Sequence, residues 1–251
     1  MKRLLGTAFL LIASFWGSVA YAQFEGQISM NLYSEENGNT EVNKLNLYAT
    51  STRIMIQGDE DVSFMEGMSS DGFLIRNDMK DFVILTGEKQ ALQVTKAEIE
   101  GLVDMLSSWS GEEESDTPST PEVDYEFSDR TQKLLGLETA ELIVKDGENP
   151  NKHLSIWLTP DVDINWGMLG ERWNNMPEDI DRELNGVVQD IIFKGKNFPL
   201  MIEAVEEGER TVLMEVTDVN RSSIAKAMVE VPSGTTLMSF KDFMFNMMMQ
   251  Q

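Results

Sequence analysis

Residues 24–33, Phe24-Glu25-Gly26-Gln27-Ile28-Ser29-Met30-Asn31-Leu32-Tyr33, alternate apolar or small residues with polar ones. Successive side chains of a strand point to opposite faces, so a period of two marks a strand with one dry and one wet face. The pattern continues outward. Asn37-Gly38 is a strong hairpin signal, after which Leu45, Leu47 and Ala49 resume the alternation, and Ile54 and Ile56 follow Thr52-Arg53. Phe73-Leu74-Ile75, Phe82-Val83-Ile84-Leu85 and residues 91–94 are three further apolar cores, the first two separated by Asn77-Asp78. Strands spaced this evenly predict an antiparallel meander.

The periodicity then changes. Thr95 with Glu98 three residues on is a capping box, and Ile99, Leu102, Val103 and Leu106 make one helical stripe ending near Trp109. Residues 110–124 hold six acidic residues, two prolines and no basic residue, the composition of a disordered loop inserted within one fold. Strand-like runs resume at Leu134-Leu135-Gly136-Leu137, at 140–144 and at 153–158, which Pro160 stops. A helical region is predicted between Gly167 and Ile192, with Pro177 in a first turn and Ile180, Leu184, Val187 and Val188 on its apolar face. Residues 198–202, 211–216 and 227–231 complete the strands. The expectation is an α+β domain over residues 23–251, a curved antiparallel sheet (a half-barrel) with helices packed over its concave face.

The N-terminus reads as a leader. Lys2 and Arg3 precede an apolar stretch over residues 4–19, and Ala20-Tyr21-Ala22 is a small-x-small cleavage site, so residues 1–22 are predicted to be removed as a signal peptide. No cysteine occurs anywhere in the chain, which excludes lipid attachment, disulfides, thiolate metal sites and a cysteine nucleophile. No later stretch is apolar enough to span a membrane. The leader carries two of the 20 basic residues and none of the 43 acidic ones, leaving a charge near −25 after cleavage. Such a surface repels nucleic acid and bare anionic headgroups and tolerates a basic protein partner. The location expected is periplasmic or secreted.

Few residues offer chemistry. His153 is the single histidine, and it sits in a predicted strand. Gly67-Met68-Ser69-Ser70-Asp71 lacks the closing glycine of a nucleophile elbow, and no phosphate loop, dinucleotide fingerprint or H-E-x-x-H occurs. Asp161-Val162-Asp163-Ile164-Asn165 begins like a calcium loop, but its glycine comes one place late and its twelfth position is Arg172. Met65, Met68, Met244 and the run 247–249 have soft thioethers suited to copper(I), whereas Met30 and Met55 fall at inward strand positions where a flexible side chain fills a core or lines an adaptable cavity. The reading is no catalytic residue, no metal and no cofactor.

Phe24-Glu25-Gly26, Gly58-Asp59, Leu134-Leu135-Gly136-Leu137-Glu138-Thr139-Ala140, Ser155-Ile156-Trp157-Leu158-Thr159-Pro160-Asp161, Phe198-Pro199-Leu200, Met214-Glu215-Val216-Thr217 and Val229-Glu230-Val231-Pro232 together resemble an uncharacterised family of exported bacterial proteins, a domain of unknown function whose members look like LolA/LppX-type periplasmic carriers. The resemblance implies a half-barrel closed by helices over an apolar cavity, with no active site to carry over. Many members have a cysteine where this chain has Ala140, so no thiol role transfers. On this reading the cavity would be lined by Ile28, Met30, Leu32, Ile54, Ile56, Leu102, Leu106 and Trp157. The ligand would be a lipid or a lipoprotein acyl chain. The alternative is an envelope interaction or sensing module with no ligand cavity, whose acidic loop recruits a partner.

Overall fold

The computed structural model describes residues 23–36, 39–58, 62–65, 68–86, 89–101, 124–145, 149, 151–173 and 184–249. The leader, Leu102, Leu106, Pro177, Ile180 and all of the acidic stretch except Asp124 lie outside the described residues. The protein is α+β. Its strands are β1 (Gly26–Glu36), β2 (Asn39–Ala49), β3 (Arg53–Gly58), β4 (Val62–Met65), β5 (Met68–Ser70), β6 (Gly72–Arg76), β7 (Asp81–Leu85), β8 (Gln90–Thr95), β9 (Tyr125–Leu134), β10 (Leu137–Lys145), β11 (Lys152–Thr159), β12 (Phe198–Glu206), β13 (Glu209–Arg221) and β14 (Thr236–Ser239). Twelve of them form one sheet in the order β14-β8-β7-β6-β3-β2-β1-β13-β12-β11-β10-β9, while β4 and β5 make a separate ribbon. Two meanders, β1 to β8 and β9 to β13, are thus joined by the antiparallel β1–β13 pair. The meander expectation fails only at one margin, where β14 runs parallel to β8.

The sheet curves, and the connection between β11 and β12 measures how strongly. Trp173 stacks on Phe82 of β7 at 6.0 Å and Trp166 stacks on Phe198 of β12 at 6.3 Å. Six strand steps separate β7 from β12, about 29 Å across a flat sheet at roughly 4.8 Å per step. The seven residues from Trp166 to Trp173 span at most about 25 Å fully extended, and Gly167–Gly170 is a tight 3-10 turn. A connection this short fits a sheet in which β7 and β12 fold toward each other. Extra residues in β13 opposite Ser29/Met30 and Ile202/Glu203, and in β12 opposite Trp157/Leu158, locally increase the twist.

The concave face holds the main core. Ile28, Leu47, Ile54, Ile75, Phe82, Leu200, Met214 and Val216 are buried there beneath Val162, Ile164, Met168 and Trp173. Helices cover further parts of this face. A helix over residues 96–101 brings Ile99 to the core, with its first turn capped by Thr95 and Glu98 as the sequence predicts. The C-terminal helix Phe240–Met249 packs Phe240 and Phe243 on Ile84, Leu92 and Val94, and a wide π-type helix, Leu184–Lys194, packs Ile192 on Leu142, Ile156 and Leu158.

Two predicted strands are corrected. Leu134 ends β9, and Leu135-Gly136 form the β9–β10 turn at φ values of 52° and 81°. A two-residue turn with both central φ positive matches the twist of its flanking strands. Residues 227–231 belong to a strap that crosses the convex face through the 3-10 turn Lys226–Val229. Val229 is buried there against Met55, Leu74, Val83, Leu85 and Ala91. Alternation at Val229 and Val231 imitates a strand because both side chains pack onto the same apolar surface.

Candidate functional site

Register places one apolar row across half of the sheet. Leu32, Met214, Ile202, Ile156, Leu142 and Phe127 are successive partners across β1, β13, β12, β11, β10 and β9. The π-type helix covers its middle. One row further along the strands, Ala204, Leu154, Val144 and Tyr125 are partners across β12, β11, β10 and β9 on the same face. The outer row and the β9 end of the inner row reach water. Tyr125 is 40% exposed, Phe127 52% and Leu154 37%, and Val144, Leu154 and Ala204 line a cleft of about 370 Å³ rimmed by Lys145, Lys152, His153 and Glu206.

The rim is charge-paired. Lys145 Nζ lies 3.1 Å from Asp124 and 3.3 Å from Glu126, and these hydrogen bonds hold its ammonium above the ordinary lysine range. Lys152 Nζ lies 2.7 Å from Glu206. An open apolar floor with paired charges around it accepts an apolar molecule without stranding an ion.

The convex face behind this row is built differently. Glu141 is only 1% exposed. It accepts hydrogen bonds from the Ser128 and Ser155 hydroxyls at 2.6 Å each and from Arg130 at 2.8 Å. Arg210 donates to Glu203 at 2.7 Å and reaches Glu141 at 3.5 Å, while the Trp157 indole N–H donates to Glu203 at 3.0 Å. A bulge in β9 makes this network, since two extra residues opposite Glu141 turn both Ser128 and Arg130 onto it. Burial, the largest single influence, pushes the Glu141 carboxyl up, but the two hydroxyls and two guanidiniums together outweigh it and hold the group below the usual carboxylate range. Both carboxylates of the network are engaged, so the arrangement fixes strands and leaves neither as a free acid or base.

The residues expected to line a cavity are separated by the structure. Ile28 and Ile54 are fully buried in the central core under residues 162–173, and Met30, Leu32 and Ile56 are half-buried against it. Trp157 is on the other face, a correction with a simple cause. Its neighbours Ile156 and Leu158 point to the concave side, and a one-residue offset in a strand reverses the face. Met55 is likewise on the convex side. The residues missed were Tyr125, Phe127, Val144, Leu154 and Ala204. The alternation Tyr125-Glu126-Phe127 carried a signal for the first two.

Other motifs resolve into structural roles. Asp163 pairs with Lys196 at 3.0 Å, and Asn165 accepts from the Gly167 N–H and donates to the Ser51 carbonyl. These contacts fasten residues 162–173 to the sheet. Gln189 of the π-type helix clamps the same segment by donating to the Leu169 and Glu171 carbonyls. Met65 and Met68 are backbone register partners in the β4–β5 ribbon. Among the described residues no helix is long and apolar enough to cross a membrane.

No protein-family model matches this chain, and no curated protein matches it. Solved structures share its outline at low identity. PNGF-II aligns over 90% of this chain at 10% identity with a TM-score of 0.43, and this chain spans 33% of that protein's length. An uncharacterized conserved protein from Thermus thermophilus aligns over 87% of this chain and 92% of its own at 10% identity and a TM-score of 0.42. A LolA superfamily protein from Nitrosomonas europaea aligns over 83% and 91% at 9% identity and a TM-score of 0.30. Likenesses at these values leave the function to be argued from this chain's own geometry.

Proposed function

We propose that this chain is an exported, non-enzymatic binding protein that holds an apolar ligand, such as the acyl chain of a lipid or lipoprotein, on its concave face. The observation that supports this reading is the outer row Tyr125, Val144, Leu154 and Ala204, which continues the apolar core into solvent and of which Val144, Leu154 and Ala204 line a cleft of about 370 Å³. That volume falls in the range of about 300–1,000 Å³ usual for small-ligand sites. Burying eight methylenes there would contribute about 6 kcal/mol at roughly 0.8 kcal/mol each, an affinity of tens of micromolar before the cost of ordering. Half-buried Met30 and Leu32 extend the same face inward.

Export rests on the leader sequence and on the start of the fold: Phe24, two residues after the cleavage site, is already fully buried. Native mass spectrometry and lipid extraction of the protein purified from an exporting host test the reading. A co-purified acyl species supports it, and protein free of lipid that also gives no fluorescence gain with a lipophilic probe contradicts it.

The filled centre of the sheet favours a second reading, an interaction module recruiting a basic partner through the acidic stretch. Deleting residues 110–123 separates the two. Probe binding survives the deletion on the first reading, whereas on the second a salt-sensitive partner interaction disappears.

A further inference from the structure

We propose that the exported chain carries a pyroglutamate at Gln23. The inference rests on the reading that the leader is removed after Ala22, which makes Gln23 the first residue, and it adds what the fold does to that residue. Phe24 is immobilised: its N–H donates to the Asp163 carbonyl at 2.7 Å, its ring lies 5.1 Å from the Arg221 guanidinium, and it is fully buried. Two residues later a Cβ at Gly26 would overlap the Asn220 carbonyl oxygen, so the chain has one path into β1. Gln23 itself is exposed, on the lip of a cleft of about 510 Å³. The fold therefore grips the chain one residue inside the cut and leaves the new terminus in water.

Cleavage gives Gln23 an α-amine whose pKa is ordinarily about 8, so about a tenth is unprotonated at neutral pH. That nitrogen attacks the Cδ carbonyl of its own side chain. The N–Cδ bond closes a five-membered lactam, the Cδ–Nε2 bond breaks, and the amide nitrogen departs with the amine's proton as ammonia. No oxidant or co-reactant is required. The Phe24 N–H belongs to the next peptide, so its bond to Asp163 is kept in the product. The lip then presents a neutral lactam in place of an ammonium, beside Asp163, Glu171, Lys194 and Lys196.

Intact-mass measurement of the full-length gene product after export tests the proposal, with a Gln23→Ala variant as the linear control. The expected result is a chain starting at residue 23, lighter than its linear mass by one ammonia, and closed to stepwise N-terminal sequencing. The Gln23→Ala chain should keep its full mass and sequence normally. A correctly cut chain with a free Gln23 amine after storage at neutral pH overturns the cyclisation alone. A chain retaining residues 1–22, or cut elsewhere, overturns the export reading and the cyclisation together.

Discussion

The two wings of the sheet bury their residues in opposite ways. In the first wing, β1–β3 with β6–β8, both faces are covered by segments distant in sequence. Residues 162–173 lie over Ile54, Ile75 and Phe82 on the concave side, and the strap around Val229 lies over Met55, Leu74 and Val83 on the convex side. Hence β7 is buried at every position. In the second wing, β9–β13, the convex face is closed by a charged network around Glu141 and Glu203, and the concave face is apolar to its end but covered only in part. Strands covered on both sides, as β7 is, have no apolar surface left to offer. A wing held rigid from behind by ion pairs can leave an apolar row open in front.

The largest way to break this contrast is in the first wing. Phe82→Ala should lower unfolding free energy by about 4 kcal/mol, because Phe82 is packed between Phe73 and Trp173 and the wall around it cannot collapse. Denaturant unfolding measures it. Next comes Glu141→Ala, at about 2 kcal/mol, since the fully buried Ser155 hydroxyl loses its carboxylate partner while Arg130, 54% exposed, can turn to water.

Acid sharpens the comparison. The Glu141 carboxyl is held below its ordinary value of 4.5 in the fold. Its contribution is therefore fully present above about pH 4.5 and is lost as pH falls further through the folded value. The stability gap between the parent and Glu141→Gln, followed by denaturation from pH 7 downward, should stay level to about pH 4.5 and then narrow. A gap that widened with acid would reverse the assignment. The smallest effect is expected at the first wing's rim. Asp78 pairs with Arg53 at 2.7 Å and is held below the usual range by it, yet the pair is partly solvated. Asp78→Ala should cost about 0.5 kcal/mol, less in high salt.

Much of the first wing was legible in the sequence, because inward and outward residues alternate from Phe24 to Ile56 and the continuous apolar runs at 73–75 and 82–85 mark strands buried on both faces. The second wing was less so. Edge strand β9 has only Tyr125 and Phe127 as apolar marks before Ser128-Asp129-Arg130, and a bulge at those residues disturbs its period. Glu141 hides inside the apolar run 140–144, and a single sequence does not tell a buried carboxylate from a solvated one. Trp157 was expected in the cavity lining on the half-barrel reading, although parity with Ile156 placed it on the other face. The strap at Val229 looked like a strand because burial alone produces alternation. The open row required register between four strands, which no local pattern contains.

Leu154 gives the most direct test of the central claim. It stands in the middle of the open row and is 37% exposed, so Leu154→Asp should cost about 1 kcal/mol, from partial loss of apolar burial and the poor strand propensity of Asp, and leave the protein folded. Fluorescence titration of a lipophilic probe into both proteins then reports on the row itself. Probe binding by Leu154→Asp should be at least tenfold weaker under conditions where unfolding curves show both proteins fully folded. Undiminished binding by a folded Leu154→Asp protein would contradict the assignment of the row as the binding surface.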